Sequence, residues 1–322
     1  MRGNANEPRR DGPIAGQFAS SNKPPLTSIN GALMVGNDGA HTGTTAPKSR
    51  AKRRMNAPDV EELASRLSER DIAILGSIAE HQFLTAHQVE VLHFADLPAA
   101  GNRIARRTLA RLRDHRLLGT LKRRIGGVRA GSGGLVHYVD DVGNQLLHGR
   151  RVRRVFDPSP RFVGHRLAVA DAHLALIEAD RQRQFELVHS AVEPKSWRRF
   201  TGIGGARLIL KPDLYAETAV PPGSDFVRAW FIEIDLGTEH VQTLLKKCRD
   251  YEAYRRTGIE QTDGGSFPVV IWSVTHAEEE KAVRRRTALQ QAIASDRTLP
   301  SALFRVIAPD QLVPLLQQGG AS

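Results

Sequence analysis

The stretch from Leu208 to Tyr254 reads LILKPDLYAE (208–217), a Pro/Gly-rich turn, WFIEIDLGTEH (230–240) and VQTLLKKCRDYEAY (241–254). Its first and second parts alternate with the period of a β-strand. Ile209, Lys211, Asp213 and Tyr215 share one face of the first strand, with Leu208, Leu210, Pro212 and Leu214 on the other; in the second, Phe231, Glu233 and Asp235 oppose Ile232 and Ile234. Pro212 has no ladder donor, which suits an edge strand or a bulge. Gly237 ends the second strand. Thr238 is the expected N-cap of a helix whose apolar stripe is Val241, Leu244, Leu245, Cys248 and Tyr251. On that helix Lys247 falls beside the stripe, next to Tyr254, whereas Lys246 falls almost opposite its centre. Two strands and a helix thus bring the carboxylates of Asp213, Glu233 and Asp235 to one place with the Lys247 ammonium.

Around this stretch lies the rest of an α/β layer. HRLAVADAHLALIEADRQ (165–182) is a helix with Leu167, Ala170, Leu174 and Ile177 as its stripe, carrying His165 and His173 about two turns apart. Either histidine can face the acids or serve packing. Glu178 on the same helix and Glu193 at the end of the strand FELVHSAVE are weaker candidate acids. Downstream, PVVIWSVT is a nearly continuous apolar run, as in a buried strand. Thr275 and Glu278 have the spacing of a capping box for a long helix, and LFRVIA and DQLVPLL predict one more strand and a short helix. The order is α-β-β-β-α-β with an added helix and strand, over residues 162–317.

Residues 58–148 have a different pattern. Ser68 and Asp71 cap a helix with Ile72, Leu75, Ile78 and Ala79 on one face, and Thr85 caps a second short helix. Asn102 is the expected cap of a third, which runs to about Asp114. That helix sets Ile104, Thr108, Leu109 and Leu112 against a face of Arg103, Arg106, Arg107 and Arg113. LLGTLKRRI, the Gly-rich GGVRAGSGG and LVHYV then predict a β-hairpin. Three helices and a hairpin make a winged helix-turn-helix, in which the third helix meets the major groove of double-stranded DNA and Lys122, Arg123, Arg124 and Arg129 flank it from the wing. The plainer alternative is a solvated arginine face or a winged helix used for protein contacts; nine basic residues between Arg103 and Arg124 against one acid, Asp114, favour DNA. Before this domain, residues 1–57 form a polar, Gly/Asn/Ser-rich tail expected to be disordered, with a basic cluster at 48–54. Between the domains, 149–161 is a basic linker.

Composition agrees with a polyanionic partner: the net charge of the 322 residues is +11. No run approaches the roughly 20 apolar residues needed to span a bilayer, so a membrane is not the expected partner. The single cysteine, Cys248, excludes an intramolecular disulfide framework and a cysteine zinc cluster, and fits a reducing cytoplasm. Gly-rich phosphate loops, nucleophile elbows and paired-His zinc motifs are absent from the sequence.

The ordered set of Pro212-Asp213, then Glu233-x-Asp235, then a helix with Lys247 resembles the PD-(D/E)xK, or restriction-endonuclease-like, nuclease core. Over roughly Leu67 to Trp272, with HRLAVADAHLAL, KPDLYAE and FIEIDLGTEHVQTLLKKCRDYEAY, the chain resembles more specifically the replication-relaxation family of plasmid and mobile-element proteins. The resemblance implies an α+β protein of two domains, a winged helix followed by a nuclease-like domain. It implies Asp213 and Glu233 as ligands of Mg²⁺, with Asp235 and Lys247 completing the catalytic set. Asp235 stands where the nuclease pattern has lysine, and Lys247 on the next helix would supply the ammonium. The implied function is replication, transfer or mobilisation of a plasmid or mobile element. It would be exercised as a metal-dependent endonuclease or nickase, or as a non-catalytic DNA-binding accessory or transcription regulator. The implied partners are replication or conjugation proteins, and a homodimer is admitted.

Overall fold

The structure is a computed structural model describing residues 56–97, 100–121, 134–149 and 158–319. The expected tail up to residue 55, most of the linker, and Lys122, Arg123, Arg124 and Arg129 lie outside the described residues.

The fold is mixed α and β, as expected. Its first half opens with helix α1 (Ala57–Ser65), closed by a capping box between Asn56 and Asp59, an element that the sequence pattern does not predict. Helix α2 (Glu69–His81) starts at the Ser68/Asp71 box, and α3 (Ala86–His93) at a Thr85/Gln88 box that follows the short strand β1 (Leu84–Thr85). Helix α4 (Gly101–Asp114) begins earlier than expected. Asn102 lies inside its first turn and donates to Glu90 at 2.8 Å instead of capping, and the N-cap position, Ala100, has no side-chain bond. Strands β2 (Leu118–Thr120) and β3 (Val136–Val139) form the expected antiparallel pair, and β1 adds to the free side of β3. Helix α5 (Asp141–His148) completes this half. Ile74, Leu75, Ile78, Val89, Leu109 and Leu112 form its core.

The second half begins with α6 (Pro160–Arg181) and strand β4 (Glu186–Val192). A ribbon follows, β5 (Arg198–Thr201) with β6 (Arg207–Leu210), then β7 (Leu214–Ala219) and β8 (Val227–Asp235). After β8 come α7 (Val241–Arg255), α8 (Ile259–Gly264), β9 (Val269–Val274), α9 (Glu279–Ser295), β10 (Phe304–Ile307) and α10 (Leu312–Gln317). The main sheet has the order β10-β9-β8-β7-β4, parallel from β8 to β10 and antiparallel from β8 to β4. Alternation on β8 explains its two covered faces. Phe231 packs with Leu245, Tyr251 and Leu289 under α7 and α9, while Trp230, Ile232 and Ile234 pack with Leu176, Leu315 and Leu316 under α6 and α10.

Three expected boundaries move. LILKPDLYAE is two strands and not one: β6 ends at Leu210 and β7 starts at Leu214 in a different sheet, because Pro212 offers no ladder donor. Its carbonyl instead accepts from Ser196 Oγ at 2.5 Å. Thr238 does not cap α7, which starts at Val241 after His240. Thr275 does not cap α9; its N–H extends the sheet by donating to the Asp235 carbonyl at 2.8 Å, and the helix starts at Glu279.

Helix α6 is shared by both halves. Val163 and Leu167 pack with Phe83 and Val136, Ala170 joins the core of the first half, and Ala168, Val169 and Leu176 cover the main sheet. Polar contacts reinforce the junction. Gln88 donates to the Leu167 carbonyl at 3.0 Å and to Asp171 at 2.7 Å, and Arg166, buried, reaches the His81 carbonyl and forms an ion pair with Glu193. His81 Nδ1 donates to the Ser77 carbonyl at 2.9 Å, so its Nε2 accepts from His173 Nδ1 at 3.0 Å, and His173 Nε2 accepts from Ser190 Oγ at 2.8 Å. Burial depresses both imidazoles, His173 to about 4, which favours this arrangement of two neutral rings.

Candidate functional site

The break at Pro212 puts Asp213 at the mouth of β7, one step beyond the last paired residues, Leu214 and Ile232, and hence opposite Glu233 on β8. The two acids lie in a cleft of about 710 Å³ whose walls include His165 of α6, Lys211, Lys247 and Trp272. Asp213, Glu233 and Asp235 are all buried. A buried carboxylate must be paired, and each oxygen of the first two has a partner. Asp213 Oδ1 meets His165 Nε2 at 3.2 Å, and its Oδ2 accepts from the Ile234 N–H at 2.8 Å. Glu233 accepts from Lys247 Nζ on one oxygen and from the Tyr251 hydroxyl on the other.

The charges shift one another accordingly. Burial alone would raise the Asp213 carboxyl, but Lys247, His165 and the Ile234 N–H outweigh it and hold it below the ordinary value. Glu233 is raised, because its burial, with Asp213 beside it, exceeds the pull of Lys247 and Tyr251. Burial opposes the charge on Lys247, yet Glu233 and Asp213 raise it overall, so the ammonium stays protonated. His165 is also raised, since Asp213 overcomes the effect of its burial.

Of the expected residues, Asp213, Glu233 and Lys247 converge. Asp235 shares the face but is held by two N–H groups of Arg285 on α9, one at 3.0 Å. Lys246 is exposed and pairs with Asp250 at 3.1 Å, as its position on the helix predicts. His165 faces the acids; His173 faces His81. Glu193 is taken by Arg166, and Glu178 is exposed. The sequence pattern misses Tyr251 as a hydroxyl donor, although it places that residue on the stripe, and misses Arg285. A ring one turn after Lys247 is the available signal for Tyr251; a partner 50 residues away leaves none for Arg285.

Two carboxylates suit Mg²⁺ as hard oxygen donors. As arranged they do not fit it: all four oxygens are engaged, an ammonium lies against Glu233, and among the described residues no cluster of three or more His, Cys, Asp or Glu could hold a metal.

The second candidate surface is α4. Ala105, Leu109 and Leu112 are buried, and Arg103, Arg106 and Arg107 are exposed with no ion pair among the described residues. Arg113 is half-buried. Arg111, one turn after Arg107 on the edge of this face, pairs with buried Asp71 at 2.6 Å.

In comparison with known proteins, residues 75–270, more than half of the chain, match the family model described as Replication-relaxation. No curated protein and no solved structure matches. Among the described residues no helix is long and apolar enough to cross a membrane.

Proposed function

The chain belongs to the replication-relaxation family, and from that premise we propose that it is a double-stranded-DNA-binding accessory in the replication or transfer of a plasmid or mobile element. The observation that carries this reading is the row of Arg103, Arg106 and Arg107: three exposed guanidinium groups on one helix face, without counter-charge among the described residues. Helices α2, α3 and α4 followed by the β2–β3 hairpin support a winged helix-turn-helix over residues 58–148, with α4 in the major groove. Arg113 extends the same basic surface in this reading; Lys122, Arg123, Arg124 and Arg129, expected to flank the duplex, lie outside the described residues. With the β5–β6 ribbon and α8 set aside as insertions, the order α6-β4-β7-β8-α7-β9 around the main sheet supports a nuclease-like scaffold over residues 162–317, and the engaged carboxylates favour an accessory over a metal-dependent endonuclease or nickase.

The test is duplex binding by fluorescence anisotropy over a range of salt. Replacing Arg106 and Arg107 by alanine should weaken binding several-fold and reduce the slope of log affinity against log salt by about 1.8, at about 0.9 for each phosphate no longer neutralised. Supercoiled plasmid incubated with the wild type and Mg²⁺ should stay intact. Cleavage that disappears in Asp213→Ala would replace the accessory reading with the endonuclease one, and unchanged affinity in the arginine variant would remove α4 from the interface.

A further inference from the structure

We propose that the Lys247 ammonium is the resident cation of the cleft, standing where a divalent ion would have to sit against Asp213 and Glu233, and that it keeps such an ion out. The inference stands on the cleft alone and does not depend on the DNA-binding reading.

Two buried carboxylates on neighbouring strands need a cation. In water a divalent ion could provide it, but Mg²⁺ gives up its hydration reluctantly and asks for near-octahedral oxygen ligands. Here the cation is covalently attached. Leu244, Leu245, Cys248 and Tyr251 are buried around Lys247, so α7 is fixed to the sheet and the ammonium is delivered to Glu233 with little freedom left to lose. The remaining oxygens are taken as well: Tyr251 holds the second oxygen of Glu233, and His165 and the Ile234 N–H hold Asp213. An incoming ion would have to break at least two of these bonds and sit beside a buried positive charge. Nor does the surrounding cleft supply unspent negative charge. Asp235 is bound to Arg285, Asp250 to Lys246 and Glu239 to Arg161.

Taking away the ammonium should therefore create a metal site that the native protein lacks. The probes are Mg²⁺ and Mn²⁺, titrated calorimetrically at millimolar concentration into the full chain without DNA, with melting temperature read in parallel. Wild type should give no binding heat and no shift. Lys247→Met, which keeps the apolar stem, should melt lower in metal-free buffer, regain several degrees in Mn²⁺ and bind one ion per chain. The double variant Lys247→Met/Glu233→Gln, which removes a negative charge together with the positive one, should lose that response. Should Lys247→Met not fold, Lys247→Gln, whose amide can still donate to Glu233, takes its place under the same criteria. Wild-type binding that is lost in Glu233→Gln would overturn the proposal. So would a folded lysine variant that ignores both metals, since the ammonium would then not be what excludes them.

Discussion

The arginine face of α4 and the cleft beneath α7 both gather cations, but their counter-charge comes from different places. On α4, Arg103, Arg106 and Arg107 project into solvent and the described residues offer them no acid. At the cleft, Lys247, Lys246 and Arg161 on its walls and Arg285 behind Asp235 each have a carboxylate of the same chain, and Lys211 lies over the Trp197 ring. Even within α4 the contrast holds, because Arg111, one turn beyond Arg107 at the edge of the same face, is paired with buried Asp71. Net charge alone cannot separate these cases. A cation already neutralised internally contributes to the fold; one left over is available to a partner.

The largest effect expected from this contrast is in stability. Arg285→Ala would leave the Asp235 carboxylate, 2 % exposed, without its partner, a loss of about 3–5 kcal/mol when a buried pair is broken. Arg103→Ala should change stability by less than about 0.5 kcal/mol, as is usual for exposed positions. Urea unfolding of the two variants measures the difference, and equal losses would break the comparison.

Histidines give the comparison a pH axis. Burial lowers His93, His137 and His173 to about 4 from 6.5, so between those values the unfolded chain binds more protons than the folded one. Their contribution is complete above pH 6.5 and declines as pH falls through that window, by up to ~1.4 kcal/mol per pH unit for each residue. His165 works in the opposite sense. Its raised value gives stability below its unfolded pKa that is lost as pH rises through the folded one. NMR titration should thus find His165 above the other three, and unfolding midpoints should fall on the acid side of the window. A flat midpoint there would mean that the buried histidines are not held neutral.

The smallest effect is expected one residue from the cleft's ammonium. Lys246→Ala removes an exposed i,i+4 pair with Asp250 and should cost no more than ~0.5 kcal/mol by the same unfolding assay. A loss as large as that of Arg285→Ala would show that exposure does not separate the two lysines of α7 in the way their surroundings imply.

What can be read from the chain follows the range of the interactions. The two faces of β8, the capping boxes of α2 and α3, and the different directions of Lys246 and Lys247 depend on residues a few positions apart, and all are legible. Boundaries are less so. Thr238, Asn102 and Thr275 have the chemistry of caps, but Thr238 lies three residues before its helix starts, Asn102 sits inside a first helical turn and Thr275 continues a strand ladder. Partners across the fold are not legible. The Asp235–Arg285 and Asp71–Arg111 pairs join residues 50 and 40 positions apart, and an arginine rich in neighbours of its own kind gives no sign of which one turns inward. His165 and His173 show the middle case. At eight residues they differ by about 80° around α6, enough for one to meet Asp213 and the other His81, but periodicity alone does not say which.

Helix α6, 22 residues and so about 33 Å long, has a practical consequence for dissection of this protein. Cutting the chain in the linker before Pro158 would assign the whole helix to the second fragment. The first fragment would then lose the cover over Phe83 and Val136, the carbonyl and carboxylate that accept from Gln88, and the ring that pairs with His81. The second would carry Arg166 with one of its acceptors missing. The natural units for expression are thus not the two halves that the linker suggests, and a first fragment that keeps α4 in native form needs α6 as its floor.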